Sequence, residues 1–133
     1  MKIFVDTNIF LDLLLKREAS DVALEIFNSI SNGKFEAVIL DITILNIDYV
    51  AKKQTKDIRN FLHLINENFE IVGATNSQIK DALDLENSDL EDNLQYISAI
   101  ENNCDLIVSN DASFYSKDLE VLTSVDFKER FKV

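Results

Sequence analysis

Three carboxylates in the sequence fall at positions that a parallel sheet would bring together. Asp6 ends the apolar run KIFV, Asp111 lies just past the run DLIVS, and Asp92 begins the helical pattern that leads into that second run. In open α/β sheets, sites lie outside the carboxyl ends of the strands, so these acids can meet if the first and fourth strands are neighbours. Convergent carboxylates repel one another in a partly desolvated site unless a cation is present. Oxygen ligands favour Mg²⁺ or Mn²⁺, and no His or Cys pattern suggests zinc.

Each acid also has an ordinary structural explanation. Asp6 could cap the helix that follows it, because Asp is a favoured N-cap residue and its charge suits the helix dipole. Asp92 could be a first-turn acid, and Asp111 could cap a short helix at DASFYSK. These explanations, taken together, do not account for acids at corresponding corners of a sheet. We therefore prefer the metal-site interpretation.

An alternation of strands and helices must position these acids. Apolar runs predict strands at 2–5, 35–40, 69–73 and 105–109, with a short fifth strand at 119–123. Apolar stripes at helical spacing predict helices at 8–16, 21–31, 42–53 and 91–103. Three further helical segments are predicted: a helix capped by Thr55, a short helix from Ser77 to about Leu85, and a helical turn from Ser124. Strands separated by helices imply a parallel sheet with helices on both faces. We predict an α/β fold, a three-layer sandwich with a central, mainly parallel four- to five-stranded sheet flanked by helices.

Composition indicates one folded domain. The chain has 133 residues, 47% of them apolar, with two Gly and no Pro, so we expect residues 1–133 to form a single domain. No apolar run is long enough to cross a membrane and no signal-type segment is present, so we expect a cytoplasmic protein with no membrane partner. Cys104 lies next to LIVS and is interpreted as a small buried residue.

The net charge of −11 argues against a nucleic-acid ligand, because Lys and Arg supply the contacts to phosphate. It does not exclude one, since a carboxylate site adds acidity and a bound divalent cation reverses the local charge. Basic residues do cluster in the segment AKKQTKDIR, which is a candidate phosphate-facing patch or a solvated helix end: Lys52, Lys53, Lys56 and Arg59.

Two segments resemble the motifs of a known family. FVDTNIFLDLLLKRE resembles the first motif of PIN domains, and LEDNLQYISAIENNCDLIVSNDASF resembles their last two motifs, in particular those of bacterial VapC-type toxins. The resemblance spans residues 3–114. It implies a metal-dependent ribonuclease that hydrolyses RNA phosphodiesters with Mg²⁺ or Mn²⁺. It also implies a toxin of a toxin–antitoxin module, with an antitoxin protein as partner and a homodimeric assembly.

The resemblance carries residue roles over by position. Asp6, Asp92 and Asp111 match the first, third and fourth acids of the family's cluster, where they would bind the metal and support catalysis. The polar residues that match the usual supporting positions are Thr7, Asn8 and Ser109. Haloacid dehalogenase-like phosphotransferases share a motif similar to VDTN, but they need a second acid where this chain has Asn8, so we rank them lower.

One departure from the family affects the expected activity. The second acid, usually Glu, falls on Asn46 when NIDYVAKK is aligned, and an amide brings no charge although it can support the site. Asp48 lies about 200° further around a helix and should face elsewhere. Asp41, at the end of the second strand, is the better-placed substitute acid. The alternative is a weak or inactive PIN-like module that binds RNA or protein.

Overall fold

A five-stranded sheet lies at the centre of the computed structural model, which describes residues 1–133. Its strands are β1 (Lys2–Val5), β2 (Glu36–Leu40), β3 (Glu70–Val72), β4 (Leu106–Val108) and β5 (Val121–Leu122). The order across the sheet is β3-β2-β1-β4-β5, and every neighbouring pair is parallel. The first and fourth strands are therefore neighbours, as the convergence of the acids requires, with Phe4 paired to Ile107.

Seven helices connect and cover the strands. They are α1 (Thr7–Leu14), α2 (Ser20–Ser31), α3 (Asp41–Ala51), α4 (Ile58–Asn68), α5 (Asn76–Asp84), α6 (Leu90–Glu101) and α7 (Ser124–Phe131). The side chains of β1 alternate between two cores. Ile3 and Val5 pack with α1, α2, α3, α4 and α7, whereas Phe4 packs on the other face with Tyr96 and Ala99 of α6. The predicted three-layer α/β sandwich is confirmed.

The predicted starts of α1, α2, α3, α5 and α6 each lie one residue after the observed start, and the N-terminal caps of α5 and α4 differ from those predicted. Thr75, not Ser77, caps α5, because Gln78 lies three residues after Thr75 and the two side chains and backbones bond reciprocally in a capping box. The residue three after Ser77 is Lys80, which has no acceptor to complete such a box. The second difference is at α4, which begins at Ile58. Thr55 does not cap this helix, because its N–H donates to the carbonyl of Ala51 in a turn that follows α3.

The remaining expectations concern burial. Cys104 is buried, which confirms the prediction, and loss of solvent raises the pKa of its thiol to about 11. None of the seven helices has both the length and the apolar character needed to cross a bilayer.

Candidate active site

Asp6 lies at the junction of β1 and α1, beside the end of β4. It occupies the N-cap position of α1, but its side chain makes no capping hydrogen bond, so the capping explanation is wrong. Its Oδ1 instead accepts from Nε2 of Gln95 at 2.9 Å, and its Oδ2 accepts from Oγ of Ser109 at 2.7 Å. Burial raises the pKa of Asp6, although these two hydrogen bonds act in the opposite direction. The carboxylate is thereby fixed between α6 and the end of β4.

Asp92 is in the first turn of α6 but is not an ordinary solvated first-turn acid. Only 6% of the residue is exposed, and its Oδ2 has no hydrogen-bond partner. Burial, and then the charges of Asp6, Asp89 and Asp111, raise the pKa of Asp92 to about 7. A buried carboxylate oxygen without a partner is costly and therefore calls for a ligand. A cation is the ligand that suits its charge.

Asp111 is held by the loop that follows β4. Its Oδ1 accepts from the N–H and the Oγ of Ser113 at 2.9 and 2.7 Å, and these hydrogen bonds lower the pKa of Asp111. The segment after Asp111 forms a turn and no helix, so Asp111 does not cap one. The N–H of Asp111 donates to Oγ of Ser109 at 3.1 Å. Ser109 thus connects the backbone of Asp111 with the side chain of Asp6.

Asp89 joins the acids, although we predicted no role for it from the sequence. It is the N-cap of α6, and its Oδ1 accepts from the N–H of Asp92 at 3.1 Å. Carboxylate oxygens of Asp89, Asp92 and Asp111 lie within 4.8 Å of one another. The Asp-x-x-Asp spacing is the signal that was missed, since an N-cap side chain bonds the backbone three residues later and so lies near that residue's carboxylate.

The acids share one cleft of about 320 Å³. Eleven residues line it, and none of them is Lys, Arg or His: Asp6, Thr7, Asn8, Leu11, Asn46, Tyr49, Val50, Asp89, Glu91, Asp92 and Asp111. A concentration of carboxylates with no basic side chain fits a divalent cation that prefers oxygen ligands. The orphaned Oδ2 of Asp92 in this cleft supports the same fit.

The polar residues predicted to support the acids bind different partners. Oγ1 of Thr7 lies 2.9 Å from Oγ1 of Thr43, and Oδ1 of Asn8 accepts from the N–H of Asn110 at 3.4 Å. Asn46 lines the cleft, where its Nδ2 donates to Oε1 of Glu91 at 2.7 Å. Asn46 therefore faces the acids as an amide donor.

The two acids considered as substitutes for position 46 are not in the cleft. Asp41 is an exposed residue at the start of α3, and its carboxylate lies against Gly73, just after β3. Asp48 is half-buried on α3 and does not line the cleft either. The structure brings neither of them to the other acids.

The basic segment lies outside the acidic cleft. Lys52 and Lys53 directly follow α3, the helix whose residues Asn46, Tyr49 and Val50 line the cleft. The two further basic residues are also exposed and border separate grooves, Lys56 beside Leu14 and Arg59 beside His63.

Comparison with known proteins gives matches along nearly the whole chain. The sequence model of the PIN domain family matches residues 2–113. Ribonuclease VapC1 of Aquifex aeolicus (strain VF5) is 33% identical over 141 aligned residues, which cover 98% of this chain and 95% of that protein.

Solved structures with similar folds have lower sequence identity. A toxin–antitoxin complex from Klebsiella pneumoniae has a TM-score of 0.69 at 20% identity, over 92% of this chain and 97% of that one. VapBC2 from Rickettsia felis, bound to a DNA fragment from its promoter, has a TM-score of 0.69 at 17% identity, over 92% and 98%. VapBC-1 from nontypeable Haemophilus influenzae has a TM-score of 0.65 at 12% identity, over 94% and 99%.

Proposed function

The chain belongs to the PIN domain family, and from this we propose that it is a metal-dependent endoribonuclease that hydrolyses RNA phosphodiesters. The observation that carries the proposal is the carboxylate of Asp92, which is buried without a partner for Oδ2 in a cleft lined by acids. A site of this composition binds a cation far more readily than an organic anion. Its place at the carboxyl ends of β1 and β4 is where an α/β sheet presents its reactive groups.

Asp6, Asp92 and Asp111 would hold Mg²⁺ or Mn²⁺ in this site, with Asp89 beside them. The bound ion would supply a deprotonated water and stabilise charge on the attacked phosphate. The protein's own contribution is to fix the acids before the ion arrives, through Gln95 and Ser109 on Asp6. The hydroxyl of Ser109 donates to Asp6 and accepts from the N–H of Asp111, so the proposal gives Ser109 a positioning role.

We propose that the RNA backbone runs from the cleft along α3 towards the basic segment. The side chain of Tyr49 lines the cleft and the residue is 77% exposed, which suits stacking against a base. The Lys and Arg residues that would contact phosphates beyond it are Lys52, Lys53, Lys56 and Arg59.

We also propose that the protein is the toxin of a toxin–antitoxin module, is cytoplasmic, and forms a homodimer that an antitoxin protein binds. The similarity to VapC1 over nearly the full length supports the toxin assignment. Apolar side chains available for a protein partner include Leu45 of α3, which is 71% exposed, and the half-buried Leu13 and Leu14 of α1. Apolar groups at a surface favour association with another chain.

Cleavage of a mixed set of labelled RNAs with Mg²⁺, Mn²⁺ or a chelator tests the enzymatic proposal. We expect cleavage only with metal, and a loss of about 100-fold or more in Asp6→Asn and Asp92→Asn, since each acid serves to stabilise charge in the transition state. Asp81→Asn, an exposed acid on α5, is the matched control and should cleave like the wild type.

A non-catalytic module that binds RNA or protein is the second candidate, and the amide at Asn46 is the observation that favours it. Folded wild-type protein that binds the labelled RNAs but cleaves none of them with either metal would support this second function in place of the first.

A further inference from the structure

Position 46 presents an amide to the acidic cleft where the resemblance to PIN domains led us to expect a carboxylate. Nδ2 of Asn46 donates across the cleft to Oε1 of Glu91 in α6, at 2.7 Å. An amide N–H stabilises a carboxylate, whereas a second carboxylate at the same distance would repel it. Asn46 is therefore suited to a site in which the negative charge comes from Glu91.

Glu91 is held from two sides. Oγ1 of Thr7 donates to the same Oε1 at 3.4 Å, and the Thr7 hydroxyl is itself tied to Thr43 of α3. Side chains of α1 and α3 thus fix the carboxylate that α6 provides. Both hydrogen bonds go to Oε1, and Oε2 receives none from the protein.

The neighbouring residue supplies an independent sign of a ligand at this place. Asp92 is 6% exposed, lines the same cleft as Glu91, and its Oδ2 has no hydrogen-bond partner. Two consecutive acids at the start of α6 therefore each leave one carboxylate oxygen without a protein donor. A first-turn acid also interacts favourably with the helix dipole, but that interaction does not explain why Glu91 accepts hydrogen bonds from Asn46 and Thr7.

We propose that Glu91 takes the place of the acid missing at position 46 and adds its carboxylate to the cation site that Asp6, Asp89, Asp92 and Asp111 form in the same cleft. The inference rests on the proposed metal-dependent function. In this arrangement the carboxylate lies on α6 instead of α3, and the hydrogen bond between Asn46 and Glu91 holds it at the part of the cleft that Asn46 lines.

Glu91→Gln tests the charge with little change of shape, because Gln keeps an oxygen that accepts from Asn46. We expect Mn²⁺, measured by isothermal titration calorimetry, to bind about tenfold more weakly or worse. The melting temperature in chelator should not fall. Glu101→Gln, at the exposed far end of α6, is the control and should bind Mn²⁺ like the wild type.

The double variant Asn46→Glu with Glu91→Gln moves the carboxylate back to α3 and leaves an amide on α6 as its donor. We expect it to recover most of the Mn²⁺ affinity and of the RNA cleavage that Glu91→Gln loses. Asn46→Glu alone places two carboxylates face to face, so its melting temperature in chelator should fall and added Mn²⁺ should raise it again.

Each outcome decides between the two proposals. Wild-type affinity in Glu91→Gln, or a loss that the double variant does not recover, overturns the role of Glu91 while the metal-dependent function stands. Failure of the wild type itself to bind Mn²⁺ overturns the metal-dependent function, and the role of Glu91 with it.

Discussion

Asp89 has two roles that single substitutions can separate. Its side chain caps α6, and its carboxylate belongs to the cluster with Asp92 and Asp111. Asn is as good an N-cap as Asp, so Asp89→Asn should keep the free energy of unfolding in chelator within about 0.5 kcal/mol of the wild type, whereas Asp89→Ala should lose about 1 kcal/mol. Both variants should bind Mn²⁺ more weakly. Urea denaturation and calorimetry measure the two quantities, and wild-type Mn²⁺ affinity in Asp89→Asn would reduce Asp89 to a cap.

The sequence predicted which acids lie at strand ends but not which side chains touch them. Asp6, Asp92 and Asp111 lie in or beside one cleft because chain position alone places them at the carboxyl edge of the sheet. Gln95 was missed, although it lies one turn after Asp92 and so faces the same side of α6. Its contact with Asp6, like that of Glu91 with Asn46, depends on how α6 docks against other helices. Such docking depends on packing between distant segments, which a single sequence does not specify.

At the level of elements, composition predicts the bounds of the strands, but it does not select the residue that caps a helix. β1 and β4 are short runs buried on both faces, so their apolar composition marks their bounds to within a residue or so. Helix starts depend instead on particular hydrogen bonds. Thr75 and Ser77 are both acceptable caps by type, and only the reciprocal bond with Gln78 selects Thr75.

One side chain ties three elements together behind the site. Nδ2 of Asn110, just after β4, donates to Oδ2 of the buried Asp12 in α1 at 2.8 Å. Its Oδ1 accepts from the N–H and Oγ of Ser124 at the start of α7, at 2.9 and 3.0 Å. Asn110 therefore anchors the loop that carries the neighbouring Asp111.

Loss of the Asn110 side chain should lower the stability of the fold and weaken the positioning of Asp111 in the cleft. We expect Asn110→Ala to lower the free energy of unfolding by about 2 kcal/mol, because it leaves buried polar groups of Asp12 and Ser124 unpaired. Mn²⁺ affinity should also fall, since Asp111 is no longer held in place. Urea denaturation and calorimetry are the measurements, with Asn28→Ala on the exposed side of α2 as control. Unchanged stability would show that the three-element connection contributes nothing.

At the scale of the whole molecule, the acidic cleft opposes folding when no cation is bound. The two cores on either side of the sheet bury Asp6 and Asp92 with them, and burial raises the pKa of both. The net charge of −11 adds repulsion that a bound cation would relieve. A divalent ion should therefore act as a structural ligand as well as a catalytic one.

The stability of the metal-free protein should consequently fall as the pH rises from 5 to 8. The folded state holds a proton on Asp92 up to about pH 7, whereas the unfolded chain releases it near its ordinary value of 3.8, so raising the pH from 5 to 8 favours unfolding by at most about 3 kcal/mol. Asp111 and Glu120, whose pKa values are lowered, are ionised at both pH values and do not change this sign. Calorimetric melting in chelator should give a lower melting temperature at pH 8, and Mg²⁺ should raise it more at pH 8 than at pH 5, where protons compete for the acids. Asp92→Asn carries no charge at either pH, so its melting temperature in chelator, and the increase that Mg²⁺ causes, should both change less between pH 5 and pH 8. A wild type that melts no lower at pH 8 than at pH 5 would contradict the raised pKa of Asp92.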